Sequence, residues 1–285
     1  MNIETRILSS LEKVFPMKDP CPTTTPMTCL QGEKYAFQIA AKIDMQRTYG
    51  CLLYVDIESE LPVTIRRVGY VPAQLLNGRA LDNHYLTDQP GLFPDPLFDP
   101  EPYGLCCDAI EPLEGTGKIG AINSICGQWG SMLLEVRTEG VPAGTYPIKV
   151  NLTAKSPYWG EKSVDCSVST SLEVVGVQLP KSDLKYTCWF HGDCLADYYG
   201  VAPLSEEHWA ILEKFIRSAV RMGLNMILTP IFTPALDTVV GGERTTVQLV
   251  DVIREKGVYR FGFEKLERWV KMCRECGMVW FEMAH

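Results

Sequence analysis

The chain has 285 residues, enough for about two domains, with 46% hydrophobic residues, 22% charged residues and a formal net charge of −8. That composition is of an ordinary globular protein and argues against a disordered or membrane-spanning chain. The acidic balance argues against nucleic acid or a membrane surface as principal partner, and no apolar run reaches the ~18 residues that a spanning helix needs.

The opening stretch MNIETRILSSLEKVFP is no secretory signal, because Glu4, Arg6, Glu12 and Lys13 interrupt any apolar core. Ile3, Ile7, Leu8, Leu11, Val14 and Phe15 share one helical face, so a short amphipathic helix is expected there. The start at Met1 reads as an authentic N-terminus and the stop at His285 as an arbitrary end. Eleven cysteines, an odd number without a signal peptide, read as reduced thiols in a cytoplasm.

Short β-branched runs follow, separated by turn residues: 35–43, 51–59, 63–70, 131–138, 146–154 and 164–177. Ile148, Val150 and Leu152 alternate with polar neighbours, the period-2 mark of a half-buried strand. Many short strands in antiparallel order predict a β-sandwich over residues 1–180. The stretch from Asp82 to Pro112 is dense in proline, which opposes a regular ladder, and reads as a long ordered loop pinned by Phe93, Leu97 and Phe98. A boundary is expected near Gln178–Ser182, where proline breaks the pattern and the period changes from 2 to 3.6.

Residues 181–285 read as strand, helix, strand, helix, strand. The first strand is expected over Leu184–Phe190, followed by a loop. Ser205 then caps a helix whose first turn holds Glu206 and Glu207 and whose buried stripe is Trp209, Leu212, Ile216 and Ala219. Gly223 ends it. The second strand is Leu224–Thr229. The connection from Pro230 to about Gly262 is long, and its runs 246–252 and 258–261 flank Gly257 as a possible hairpin. A second helix carries Phe263, Leu266, Val270 and Cys273 and stops at Gly277, and the third strand is Met278–Met283. Such alternation implies parallel pairing. A (β/α)8 barrel takes about 250 residues, or about 31 per unit. The 102 residues from Leu184 to His285 hold three units. The expected fold is therefore multidomain: an antiparallel β-sandwich (1–180), then an incomplete TIM-type barrel (181–285). A doubly wound sheet is the alternative, but no G-x-G-x-x-G loop follows the first strand.

Barrel sites form at the C-terminal ends of strands. Those ends deliver Trp189, Phe190, His191 and Asp193, then Thr229, Thr233, Asp237, Glu243 and Arg244, then Glu282 and His285. Aromatics beside carboxylates and amides suit sugar rings, whose C–H faces stack while their hydroxyls hydrogen-bond. The substrate-binding candidates are Trp189, His191, Asp193, Asp237, Arg244, Glu282 and His285. Cys188-x-x-His191-x-x-Cys194 and Cys273-x-x-Cys276 hold zinc-ligand residue types. Cys188 lies within a predicted strand and Cys273 on an apolar helix face, so buried thiols are the preferred reading and no metal or cofactor is expected.

The run Trp189-Phe190-His191-Gly192-Asp193-Cys194-Leu195-Ala196-Asp197-Tyr198-Tyr199-Gly200 resembles the barrel start of glycoside hydrolase family 123. So do Ile227–Pro234 with Leu236-Asp237-Thr238, Gly241-Gly242-Glu243-Arg244, and Trp280-Phe281-Glu282-Met283. The likeness covers about residues 186–285, with a weaker one in the sandwich at Pro90–Asp95. The resemblance implies a β-N-acetylgalactosaminidase, retaining and substrate-assisted, in which the sugar's 2-acetamido oxygen attacks the anomeric carbon. An adjacent Asp–Glu pair then supplies the stabiliser and the general acid. No Asp-Glu dipeptide occurs in these 285 residues. The catalytic residues are thus expected beyond residue 285, in the missing C-terminal part of the barrel, and this portion alone is expected to be inactive. The implied partner is a glycan carrying N-acetylgalactosamine. The alternative is a non-catalytic carbohydrate-binding or interaction sandwich.

Overall fold

The computed structural model describes residues 2–23, 25–44, 50–74, 86–87, 89–98, 118–160, 162–232 and 240–284. The chain divides into two compact units, Met1–Pro180 and Lys181–His285.

The first unit is two five-stranded sheets. The strands are β1 (Asn2–Ser9), β2 (Met27–Gln31), β3 (Lys34–Asp44), β4 (Gly50–Glu58), β5 (Val63–Ala73), β6 (Gly91–Phe98), β7 (Lys118–Ile125), β8 (Trp129–Arg137), β9 (Gly144–Lys155) and β10 (Ser163–Gln178). One sheet runs β1-β3-β8-β5-β6 and the other β2-β10-β9-β4-β7. Alternation explains the packing. On β9, Ile148, Val150, Leu152 and Ala154 are buried to 0–1% exposure. They meet Phe37, Ile39, Met132 and Leu134 of the facing sheet in one shared core. All described strand pairs in this unit are antiparallel except one: β2 runs parallel to β10, with Leu172 opposite Met27.

Two expectations fail here. The N-terminal segment is a strand, not a helix: β1 pairs antiparallel with β3 from Asn2↔Asp44 to Ser9↔Phe37. Ile3 and Ile7 face the sandwich core, while Leu8 faces the other way into a cluster with Val14, Ala40 and Trp129. Both faces carry apolar groups, which mimicked a helical stripe, and Leu11 is 87% exposed. Residues 91–98, expected in a loop, form β6. Pro94 and Pro96 are accommodated because β6 is an edge strand and its pairing with β5 shifts register between Val68 and Tyr70. The remainder of the proline-rich stretch lies largely outside the described residues.

The second unit is built on a parallel sheet of β11 (Thr187–Cys188), β12 (Met226–Pro230) and β15 (Trp280–Ala284), in the order β11-β12-β15. Helices α1 (Gly192–Tyr199), α2 (Glu206–Arg221) and α3 (Glu264–Cys276) join them, with a hairpin of β13 (Asp251–Glu255) and β14 (Val258–Gly262). Ser205 caps α2, its side chain accepting from the His208 N–H. On α2, Trp209, Leu212 and Ile216 are buried, as their spacing predicts. On α3 the buried residues are Trp269, Cys273 and Cys276. Phe263, expected on the apolar stripe, is the N-cap and 49% exposed. α3 ends at Gly277 with φ 107°, and a Cβ there would lie 3.0 Å from Val220 Cγ1. Only glycine meets both demands.

The first strand is far shorter than expected, because Leu184–Tyr186 pair differently. Asn225 takes over the ladder: its Oδ1 accepts from the Tyr186 N–H at 2.8 Å and its Nδ2 donates to the Leu184 carbonyl at 2.8 Å. The loop expected after that strand contains α1, which ends at Gly200 in the left-handed region. The hairpin forms around Lys256 and Gly257, both at positive φ (48° and 84°), the conformation of a tight hairpin turn.

Candidate functional site

The register of the parallel sheet sorts its two faces. Ile227 is paired with Phe281, and both pack with Trp209, Leu212 and Trp269 beneath the helices. Leu228 is paired with Glu282, and Thr187 with Met226, so these side chains occupy the opposite face. There Glu282 Oε2 accepts from Thr187 Oγ1 at 3.3 Å, reaching across β12. Lys185 Nζ sits 4.5 Å from the Trp280 ring centroid.

At the C-terminal end of β11 the chain turns into α1. His191 is the N-cap, with extended backbone and no side-chain capping bond. Asp193 lies in the first turn, where the helix dipole favours a carboxylate. Asp193 and Asp197 are four apart and so share one face of the helix. The long connection after β12 returns to that face. Its backbone runs back beside the end of β12, Leu249 N donating to Pro230 O at 3.0 Å and Val250 N to Ile231 O at 3.1 Å. Val247, Leu249 and Val250 are buried and anchor it. Arg244 and Thr245 then meet the two aspartates. Arg244 Nε donates to Asp193 Oδ2 at 2.5 Å and Nη2 to Oδ1 at 3.0 Å. Thr245 Oγ1 donates to Asp197 Oδ1 at 2.6 Å. Both members of the Arg244–Asp193 pair are only about one-tenth exposed, 11% and 10%. The hydrogen bond to Asp193 holds the Arg244 guanidinium charged, above its ordinary range.

His208 supports this corner from below. It is fully buried, and its Nδ1 accepts from the Leu204 N–H at 2.9 Å. Nε2, 2.9 Å from the Gly192 carbonyl, must then carry the proton it donates there. The helix start that holds His191 and Asp193 is thereby fixed from two sides. The cleft among Phe190, His191, Asp193, Leu228, Pro230 and Arg244 offers about 10 Å³, room for about one water and none for a sugar ring.

The structure brings His191, Asp193 and Arg244 together around this cleft. Asp193 accepts hydrogen bonds from Arg244 on both of its carboxylate oxygens. Trp189 is 54% exposed, while its neighbour Phe190 turns inward, 6.4 Å from Trp269. Glu282 is tied to Thr187. Thr229 is fully buried, its hydroxyl 3.4 Å from the Ile227 carbonyl, and does not line an open site. Thr233, Asp237 and His285 lie outside the described residues. Sequence reasoning missed Thr187, Thr245 and His208 as site residues. His208, third after the Ser205 cap, was legible only as a helix-start position.

Burial raises the Cys273 thiol to about 12, with a further contribution from neighbouring Cys276. Among the described residues, no three His, Cys, Asp or Glu side chains converge as a metal centre.

Residues 189–285 match the family model "Glycoside hydrolase 123, catalytic domain". Among solved structures, a family 123 glycoside hydrolase from Clostridium perfringens, described for glycolipid glycan hydrolysis, matches with a TM-score of 0.66 at 16% identity, over 98% of this chain and 46% of that one. The chain thus spans about half the length of that enzyme. A putative membrane anchored protein from Corynebacterium diphtheriae matches at a TM-score of 0.32 and 11% identity, over 62% of this chain and 37% of that one. A PapD-like domain of human CEP192 matches at 0.25 and 10%, over 62% and 87%. Neither of these last two bears on function. No curated protein matches the chain.

Proposed function

We propose, from the glycoside hydrolase family 123 assignment of residues 189–285, that this chain is the N-terminal portion of a glycosidase acting on glycans that carry terminal N-acetylgalactosamine. In this reading the parallel sheet β11-β12-β15 is the first three-eighths of a TIM-type barrel, and the helix-free face bearing Glu282 and Thr187 turns toward the barrel axis. The reaction is retaining and substrate-assisted. The acetamido oxygen of the sugar forms the new bond at the anomeric carbon, and a general acid protonates the departing glycosidic oxygen. The Asp–Glu pair this requires does not occur in these 285 residues, so the chain's own residues are assigned binding roles only.

The observation that carries the reading is the family-model match over residues 189–285, and the corner at the end of β11 is where the chain's own candidate binding groups lie. Trp189 presents a half-exposed indole suited to the apolar face of a sugar ring. His191, two residues on, borders the cleft on a helix start that Arg244, Thr245 and His208 immobilise. A rigid support is what a sugar-orienting site requires. A cytoplasmic location belongs to the same proposal and rests on the thiol-rich composition.

The test is titration of the chain with N-acetylgalactosamine, monitored by the indole N–H resonance assigned to Trp189 through Trp189→Phe. A saturable shift, lost in His191→Ala, is expected. No release of nitrophenol from an aryl N-acetylgalactosaminide should occur with this chain alone. Absence of any indole perturbation at tens of millimolar sugar sinks the assignment of Trp189 and His191.

A further inference from the structure

Strand β10 is 16 residues long, and its two edges are used unequally. One edge pairs with β9 in unbroken antiparallel register, from Ser163↔Lys155 to Val174↔Gly144. The other pairs with β2, and only from Leu172↔Met27 onward. Among the described residues, no strand pairs with that second edge from Ser163 to Ser171. The extended backbone there directs alternate N–H and C=O groups outward, which is the template on which a further strand adds.

The stretch is also unguarded. Open edges are normally blunted by lysine, proline or a bulge. Residues 163–171, SVDCSVSTS, contain no lysine, arginine or proline, and their single charge is Asp165. Its Oδ1 accepts from Thr153 Oγ1 of β9 at 2.6 Å, which draws the carboxylate away from the open edge. On the core side, Val164, Cys166 and Val168 pack against the sandwich interior and stay only partly buried. They form an apolar rim that the core-side groups of a neighbouring strand would extend.

We infer that this edge pairs with the same edge of a second copy of the chain, antiparallel about a two-fold axis, so that the two β10-bearing sheets become one. The occupant follows from the strand's own pattern. β2 is seated from Leu172, so the symmetric register that uses the whole open stretch sets Ser163 against Ser171 of the second copy and Ser167 against itself. In that register each core-side residue meets a core-side residue, Cys166 opposite Val168 and Val164 opposite Thr170. Asp165 falls opposite Ser169, so the two carboxylates never face one another, and like charges directly opposite are what would oppose pairing. The same patch serves on both copies, and such a contact closes as a dimer. The inference is independent of the glycosidase reading, since no residue of 181–285 and no sugar enters it.

The experiment is sedimentation equilibrium of the whole 285-residue chain under reducing conditions, from about 5 to about 500 µM, the range in which a small interface dissociates. A concentration-dependent dimer is expected. Ser167 is exposed, so a charge placed there leaves the fold intact. Ser167→Lys and Ser167→Asp should each raise the dissociation constant about fivefold, because like charges then meet at the axis. An equimolar mixture of the two should restore wild-type pairing. In a Cys21→Ser/Cys166→Ser/Cys194→Ser background treated with glutathione disulfide, Ser167→Cys should cross-link two chains, since opposite residues lie about 4.5–5.5 Å apart, within disulfide reach. Ser163→Cys should cross-link no more than that background, its own counterpart lying about 27 Å away along the strand. A chain that stays monomeric at every concentration overturns the inference. So does a dimer that Ser167→Lys leaves unchanged, a mixture that fails to recover, or equal cross-linking from positions 163 and 167.

Discussion

Arg244 grips Asp193 through two parallel hydrogen bonds, joining the connection after β12 to the first turn of α1. The pair is nearly withdrawn from solvent at 11% and 10% exposure, so the Asp193 carboxylate relies on the guanidinium for compensation. Two segments 51 residues apart in sequence are thereby locked beside His191.

Removing both partners should cost less than the sum of removing each alone. Arg244→Ala is expected to destabilise the second unit by about 2–3 kcal/mol, because it leaves a mostly buried carboxylate without its guanidinium. Arg244→Lys should recover only part, since an ammonium cannot form the fork. The double variant Asp193→Ala/Arg244→Ala should lose less than the sum of the single variants, as read from urea denaturation in a double-mutant cycle. Strict additivity would mean that the pair is not coupled.

His208 should remain in one neutral tautomer. Its Nδ1 accepts from Leu204 N–H, so Nε2 must bear the hydrogen directed at Gly192 O. Long-range ¹H–¹⁵N correlation spectra at pH 7 are expected to show a pyrrole-type Nε2 and a pyridine-type Nδ1. His208→Phe should strand both backbone partners, costing about 2–3 kcal/mol and accelerating hydrogen exchange through the first turn of α1. The reverse tautomer would rule out this arrangement.

The Ser205 cap offers a smaller and cleaner change. Its hydroxyl accepts from His208 N–H at 3.2 Å. Ser205→Ala should cost about 1 kcal/mol, and Ser205→Asp should restore it, helped by the dipole at the start of α2. Denaturant midpoints of the three proteins are the measurement. A Ser205→Ala midpoint equal to wild type would remove the cap from the account of α2.

Alkaline pH should weaken both units through their buried thiols. Burial first, and a neighbouring cysteine second, raise Cys51 and Cys273 from 9.0 to about 12. A folded-state pKa above the unfolded one means that the folded form retains the proton longer. The associated stability is fully present below pH 9 and is lost as pH rises toward 12. Thermal midpoints should therefore fall across that window. At pH 8, iodoacetamide should label exposed Cys21 and Cys194 well before Cys51 and Cys273. Cys51→Ala/Cys273→Ala should flatten the alkaline decline, and an unchanged decline would assign it to other groups.

Segments with one dominant period were readable in advance. β9 follows its alternation, with Ile148, Val150 and Leu152 buried in turn, and α2 follows its cap and its Trp209–Leu212–Ile216 stripe. Segments with mixed signals were not. β1 buries apolar groups on both faces and so imitated a helix. β6 contains prolines that only an edge position tolerates, and edge position is a property of the assembled sheet. Residues near β11 looked like a long strand until the Asn225 side chain took over the pairing of Leu184 and Tyr186.

The same division holds for the site. Sequence alone placed His191, Asp193 and Arg244 near the strand ends, where the structure brings them together, and its motifs pointed to family 123. Only tertiary structure decided their partners. Asp193 lies 51 residues from Arg244, and nothing local foretells that a long connection will return to neutralise it. Thr187 and Glu282, 95 residues apart, become partners only because three strands align in parallel register. Local pattern sets which face a side chain takes; pairing across the fold sets which charges are left open to a ligand and which are consumed holding the site together.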